Sequence, residues 1–213
     1  MKSVILRLLS VAFVGATLGA CALTEDKVPV DYVPFTNREA TSALAGAASV
    51  ALNVTVTDQR TQYADRISTK KNTYGMEMAR IVASNDVPTV VRQALEQELR
   101  LLGFRIEAGG MPVGVELQNF YNNFKVGFFS GDAVAEVAFA VKVRDAGGAL
   151  VYSQFYSATE TEANIMLASG ENAKKALEKA LASAVKRAIE DRALQQALLA
   201  TRPAQPQQRR VGS

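Results

Sequence analysis

Few residue types in this chain are able to do chemistry. Cys21 is the single cysteine, and it closes the stretch Leu18-Gly19-Ala20-Cys21 at the end of an apolar run. Histidine is absent from all 213 residues, which removes Ser-His-Asp and Cys-His catalysis and the commonest zinc ligand. One thiol makes neither an internal disulfide nor a thiolate metal site. What remains is a thiol open to covalent modification, the pair Asp58 and Arg60, carboxylates such as Glu160 and Glu162, and five rings within ten residues at Phe120, Tyr121, Phe124, Phe128 and Phe129. Gly109-Gly110 and Gly147-Gly148 read as turns, because neither has GxGxxG or Walker spacing. No catalytic residue, metal or cofactor is therefore expected.

The segment that presents Cys21 has a definite grammar. Lys2 and Arg7 give a basic start, and residues 8–18 are an apolar run of eleven, too short to span a hydrocarbon core as a helix. Small residues Gly15, Ala16, Gly19 and Ala20 precede the cysteine. This order resembles the bacterial lipobox, where the thiol takes a diacylglycerol and the cysteine becomes the mature N-terminus. A plain secretory leader with an incidental cysteine is the competing reading. The lipobox resemblance makes residues 1–20 a leader and Cys21 the lipidation site. It also makes the membrane a partner, through the N-terminal diacylglycerol and acyl chain. One acyl chain alone holds marginally, at about 0.8 kcal/mol per buried methylene, whereas the three chains implied here hold close to permanently. Ala22 follows the cysteine where an acidic residue would favour the inner membrane, so the expected location is the outer membrane, facing the periplasm, with the inner membrane left open.

The formal charge of +3 includes Lys2 and Arg7, so the chain after the leader is near +1 and carries no nucleic-acid signature. Residues 21–48 read as a lipidated N-terminus and tether, with Pro29 and Pro34 disfavouring helix. A flexible coil of about 27 residues reaches roughly 30 Å, or roughly 90 Å extended. Docking of Tyr32 to Phe35 as an edge strand is the alternative.

Residues 49–200 carry the pattern of one domain. Val50, Leu52, Val54 and Val56 alternate with polar or small residues, as in a half-buried strand ending at Asp58-Gln59-Arg60. Residues 61–74 read as a looser polar stretch, followed by a strand over 76–82. Asp86 and Pro88 start a helix whose apolar positions 87, 90, 91, 94, 95, 99 and 102 form one stripe, and Gly103 stops it. Strands are expected at 104–106 and 113–117, then a hairpin of 133–144 with 150–158 across Asp145-Ala146-Gly147-Gly148. A last helix covers about 171–190, a short one reaches Leu199, and residues 201–213 read as a disordered tail. This order predicts an α+β fold, a two-layer sandwich with a mostly antiparallel sheet and two amphipathic helices on one face. Parallel pairing of the first strand across the first helix is also open.

From Val54-Thr55-Val56-Thr57-Asp58-Gln59-Arg60 onward the chain resembles the YajG family of bacterial lipoproteins. A strand ending in an Asp-x-Arg turn is one mark. A helix rich in Leu, Glu and Gln ending in Gly and an aromatic or apolar residue is the second, here Val91-Arg92-Gln93-Ala94-Leu95-Glu96-Gln97-Glu98-Leu99 through Gly103-Phe104. The resemblance covers roughly residues 18–200. It implies an envelope lipoprotein without an established enzymatic activity, and no substrate.

Five residues besides Cys21 are candidates for contact with a partner: Asp58, Arg60, Phe120, Tyr121 and Phe124. Asp58 and Arg60 sit where a strand meets a loop and point to one side; pairing with each other is the plainer alternative. The rings form a partner or lipid patch, or else a strand pair that fills the core. These residues suit a non-catalytic binding or scaffold module whose partner is an envelope protein or a lipid. The competing function is an accessory lipoprotein of a lipid or lipopolysaccharide transport system. A hydrolase using Glu160 and Glu162 is a third.

Overall fold

The computed structural model describes residues 23–34, 43–127 and 129–200. Cys21, Phe128, residues 1–20 and the tail 201–213 lie outside them. The elements in chain order are β1 (Asp26–Val28), β2 (Ala51–Asp58), β3 (Ser68–Lys71), β4 (Glu77–Ala83), α1 (Val87–Leu101), β5 (Arg105–Ile106), β6 (Met111–Val126), β7 (Gly131–Arg144), β8 (Leu150–Ile165), α2 (Gly170–Glu190) and α3 (Arg192–Ala200), with a 3-10 turn at Ala47–Ser49.

The result is the expected α+β architecture: among the described residues, one open sheet of eight strands covered by helices. β6, β7 and β8 form a long antiparallel meander, with Val113 opposite Val143 and Val137 opposite Ala158. Along the free edge of β6 two strands follow in succession. β2 pairs in parallel from Leu52 opposite Met111 to Asp58 opposite Leu117, and β3 joins in parallel at Ser68 opposite Asn122. β5 extends the sheet beyond β2, and β4 then β1 extend it beyond β3. β2, the strand read first in the sequence, thus does pair in parallel with β5 and β6 across α1, and the sheet is mixed.

The helices form where their stripes predict. Asp86 accepts from Thr89 N at 2.9 Å and caps α1, with Pro88 in the first turn. Val90, Val91, Leu95 and Leu99 are buried against the sheet. Leu177, Leu181, Val185 and Ala188 of α2 are buried over Val137, Phe139 and Val141. Asp191 ends α2 and caps α3, accepting from Ala193 N at 2.7 Å. The same carboxylate accepts hydrogen bonds from the hydroxyls of Tyr152 and Tyr156 at 2.7 and 2.8 Å, which ties the α2–α3 bend to β8.

Three expectations change. The segment between Cys21 and residue 48 does not hang free where it is described: β1 pairs with β4, Val30 is fully buried, and Asn85 brackets it through both its N–H and C=O. Prolines exclude helix but not an edge strand, and the strand is Asp26–Val28; of the expected Tyr32 to Phe35, residues 32–34 are not strand and Phe35 lies outside the described residues. The polar stretch over 61–74 contains β3, because Ser68 and Thr69 are buried polar residues with partners rather than solvent-exposed ones. The strand expected to stop at Leu117 continues to Val126. Gln118 is an extra residue there: Leu117 faces Phe139 and Asn119 faces Ala138. This bulge reverses the phase of burial, from 113, 115 and 117 to 120, 122 and 124.

Candidate functional site

The same bulge builds the site around Asp58. β2 cannot follow β6 past Leu117, so the chain leaves the sheet at Asp58, with Gln59 N donating to Leu117 O at 2.8 Å. It rejoins β6 at Asn122, whose N–H donates to Ile67 O at 2.8 Å. Residues 59–67 therefore arch over a fork in the sheet. Arg60 closes the arch. Its Nε and Nη2 donate to Asp58 Oδ1 and Oδ2 at 2.9 and 2.7 Å, and Nη2 also donates to Ala64 O at 3.1 Å. The guanidinium side chain is only 5% exposed, against 30% for the carboxylate. Hydrogen bonding from Arg60, stronger than the opposing effect of partial burial, holds the Asp58 carboxyl below the usual carboxylate range.

The arch carries Tyr63, which adopts a left-handed backbone with φ of 55°. Its ring stacks on Tyr121 with centroids 4.0 Å apart and planes 14° apart. Arg66 lies 5.8 Å from the Tyr63 ring centroid, within range of a cation–π contact. The Tyr121 hydroxyl shares a hydrogen bond with Thr69 Oγ1 at 3.1 Å, and burial pushes its proton affinity up. Beside the stack, Asp65 binds Arg66 and Arg80, and Arg80 reaches Glu25 at 2.9 Å. A cleft of about 210 Å³ runs from Asp58 and Arg60 past Asp65 and Arg66 to Asp86 and Pro88 at the start of α1.

Asp58, Arg60 and Tyr121 thus come together through Tyr63. Phe120 and Phe124 do not join them: both point to the helix side and are 0% and 2% exposed. The surface-patch reading of those two rings is corrected, because the Gln118 bulge turns them into the core. Phe129 is exposed at the β6–β7 turn. Tyr63, Asp65 and Arg66 were not legible as site residues, since nothing in a polar stretch marks which residue a left-handed turn will lay on a distant ring.

Glu160 and Glu162 face α2 from β8. Ser183 Oγ donates to Glu160 at 2.6 Å, and Lys179 pairs with Glu162 and holds its carboxyl below the ordinary range. The displaced carboxyls Asp58, Asp65, Glu162 and Asp191 all shift downward, so each of these four is ionised at neutral pH and none serves as a general acid there. Among the described residues no group of three or more Cys, Asp or Glu is placed to hold a metal ion. Among them, too, no helix is long and apolar enough to cross a membrane.

Comparison with solved structures places this fold in company. A protein of Xanthomonas campestris aligns with a TM-score of 0.50 and 11% identity, covering 77% of this chain and 91% of the other. A minor lipoprotein of Acinetobacter baumannii aligns with a TM-score of 0.42 and 6% identity, covering 72% and 97%. No curated protein matches the sequence. The sequence profile of a family described as uncharacterized lipoprotein matches residues 39–199. With that match spanning most of the folded domain, the chain belongs to this lipoprotein family.

Proposed function

We propose that this is a lipid-anchored periplasmic envelope lipoprotein of the YajG kind, held at the outer membrane by acylated Cys21 and acting as a non-catalytic binding or scaffold module. The observation that carries the reading is the approach of the chain to the fold. A basic start, an apolar run of eleven residues and small residues lead to the one thiol, and the sheet begins five residues later at Asp26. Membership of a lipoprotein family supports it. The lack of histidine and the engagement of Arg60 by its own arch favour a module that presents surfaces over one that turns over a substrate. Its mechanism is tethering, in which the lipid keeps a folded surface at high local concentration near its partner. The envelope partner meets the Tyr63–Tyr121 side.

Intact mass of the native protein tests the anchor. The expected species starts at Cys21 and carries a diacylglycerol and an amide-linked acyl chain, and Cys21→Ala moves the protein out of the outer-membrane fraction. An unmodified thiol, or native protein recovered free of membranes without detergent, would overturn the reading. In-cell crosslinking from Tyr63 and Tyr121 then identifies what the surface meets.

A further inference from the structure

Large apolar side chains are exposed together at one end of the molecule. Three loops meet there: the β3–β4 turn with Tyr74 and Met76, the β6–β7 turn with Phe129, and the β8–α2 connection with Met166 and Leu167. Tyr74 is 87% exposed, Phe129 85%, Met166 79% and Leu167 72%. One depression of about 390 Å³ joins the three loops, passing from Thr73 by Phe124 and Val126 to Ile165 and Leu167. Single exposed apolar residues occur on any protein surface, but a cluster of long apolar and aromatic side chains on adjoining loops marks a contact surface.

The chain enters the fold at this same end. β1 runs parallel to β4 with Asp26 opposite Ile81, so the N-terminal side of β1 points back toward the turn that opens β4. Lys70 Nζ donates to Thr24 O at 2.9 Å and pairs with Asp26 at 2.8 Å, two residues before the β3–β4 turn begins at Asn72. Gly170 N donates to Asp26 Oδ2 at 3.1 Å, three residues after Leu167. Residues 24–26 are therefore fastened to the roots of two of the three apolar loops. Cys21 precedes Thr24 by three residues, and at full extension its Cα lies no more than about 10 Å from that of Thr24.

We propose that this apolar end is a membrane-docking surface, whose occupant is the bilayer that holds acylated Cys21. The proposal rests on the lipid-anchor reading and deepens it. With so short a leash, the acyl chains bring Tyr74, Phe129, Met166 and Leu167 to the interface with no further loss of translational freedom. The apolar side chains enter the boundary between headgroups and acyl chains, as an interfacial helix does with its apolar face. The domain then stands on its loops. The opposite β7–β8 hairpin, with Leu150 and Val151, is held about 40 Å away by the length of β7.

The natural cysteine, once acylated, leaves any introduced cysteine as the only reactive thiol. Nitroxide labels at Tyr74→Cys, Phe129→Cys and Met166→Cys, with Leu150→Cys as the distal control, are carried on the full lipidated protein in vesicles of phosphatidylethanolamine and phosphatidylglycerol. The tip labels should collide several-fold less with a water-soluble nickel chelate than the Leu150→Cys label, and more with oxygen. Adding Met166→Asp and Leu167→Asp should leave the protein on the vesicles and make the Tyr74→Cys label as accessible as the control. Tip labels as accessible as the control, on protein that still floats with vesicles, would overturn the docking and leave the anchor standing. Spin–spin broadening between tips would overturn it in favour of a second copy, and protection confined to native envelopes would overturn it in favour of a protein. Protein that does not float, or Cys21 that reacts with the label, would overturn the anchor reading and this proposal with it.

Discussion

Arg60 faces Asp58 side-on, with Nε and Nη2 each donating to a different carboxylate oxygen, 2.9 and 2.7 Å away. A lysine has no planar fork to repeat this geometry and none to reach Tyr63 O and Ala64 O as well. Arg60→Lys should therefore behave much like Arg60→Ala. Each should destabilise the fold by about 1–3 kcal/mol in urea denaturation, because hydrogen bonds to a charged, nearly buried group are lost. Amide exchange should accelerate first in residues 59–67 and leave α2 unchanged.

Stability should fall at both ends of the pH scale for identifiable reasons. Burial raises the proton affinity of Asp191, but hydrogen bonds from Tyr152, Tyr156 and two backbone N–H groups outweigh it and leave the carboxyl below its ordinary value. The ordinary value is about 3.9, so the stabilisation is complete above it and is lost as pH falls through the depressed folded value. The tyrosines move the other way. Burial pushes the Tyr152 hydroxyl up to about 12, and Tyr156 is also raised. The Tyr152 contribution is complete below about pH 10 and is lost as pH rises through about 12, and the loss from Tyr156 likewise begins above about 10. Denaturation midpoints measured across pH should show both limbs. Asp191→Asn should flatten the acid limb, and Tyr152→Phe should flatten the alkaline one.

Phe120 tests whether the ring cluster is core or contact surface. Its side chain is fully buried between the sheet and α2. Phe120→Ala should cost about 3–5 kcal/mol of stability. Tyr121→Ala, on the other face, should cost less and should change crosslinking to any envelope partner without comparable loss of Tm.

Gly170 seats β1 against the start of α2. A Cβ there would lie 2.7 Å from Val28 Cγ1 and 3.2 Å from Asp26 Cβ. Gly170→Val should lift β1 from the sheet edge, break the Gly170 N to Asp26 bond, and expose the chain before Val30 to protease. Limited proteolysis of the lipidated protein would then release the domain from vesicles well before wild type is released.

The helices were legible because their signals are local. The Asp86 cap, Pro88, the stripe through Leu99 and the stop at Gly103 need no distant partner to be read. The β7–β8 hairpin was legible for the same reason, through alternation on either side of Asp145 to Gly148. β1 and β3 were not, since three or four residues of mixed polarity become strands only when β4 and β6 offer an edge. The far half of β6 was hidden by one residue, Gln118, which reverses the alternation that a sequence reader counts. The site behaves likewise. Asp58 and Arg60 are two residues apart and announce their pairing. The stacking of Tyr63 on Tyr121 joins residues far apart in the chain and depends on an arch that only the bulge creates.

The sequence by itself therefore determined the single thiol, the amphipathic helices and the α+β class, all of which depend on residue types or on residues close along the chain. Tertiary structure decided that Phe120 and Phe124 turn inward, that residues 59–67 bring Asp58, Arg60 and Tyr121 together, and that residues 24–26 are fastened beside two of the three apolar loops. Each of those outcomes depends on strand register and edge pairing. The free energy of such pairing comes from contacts between distant segments, which the local order of residues does not contain.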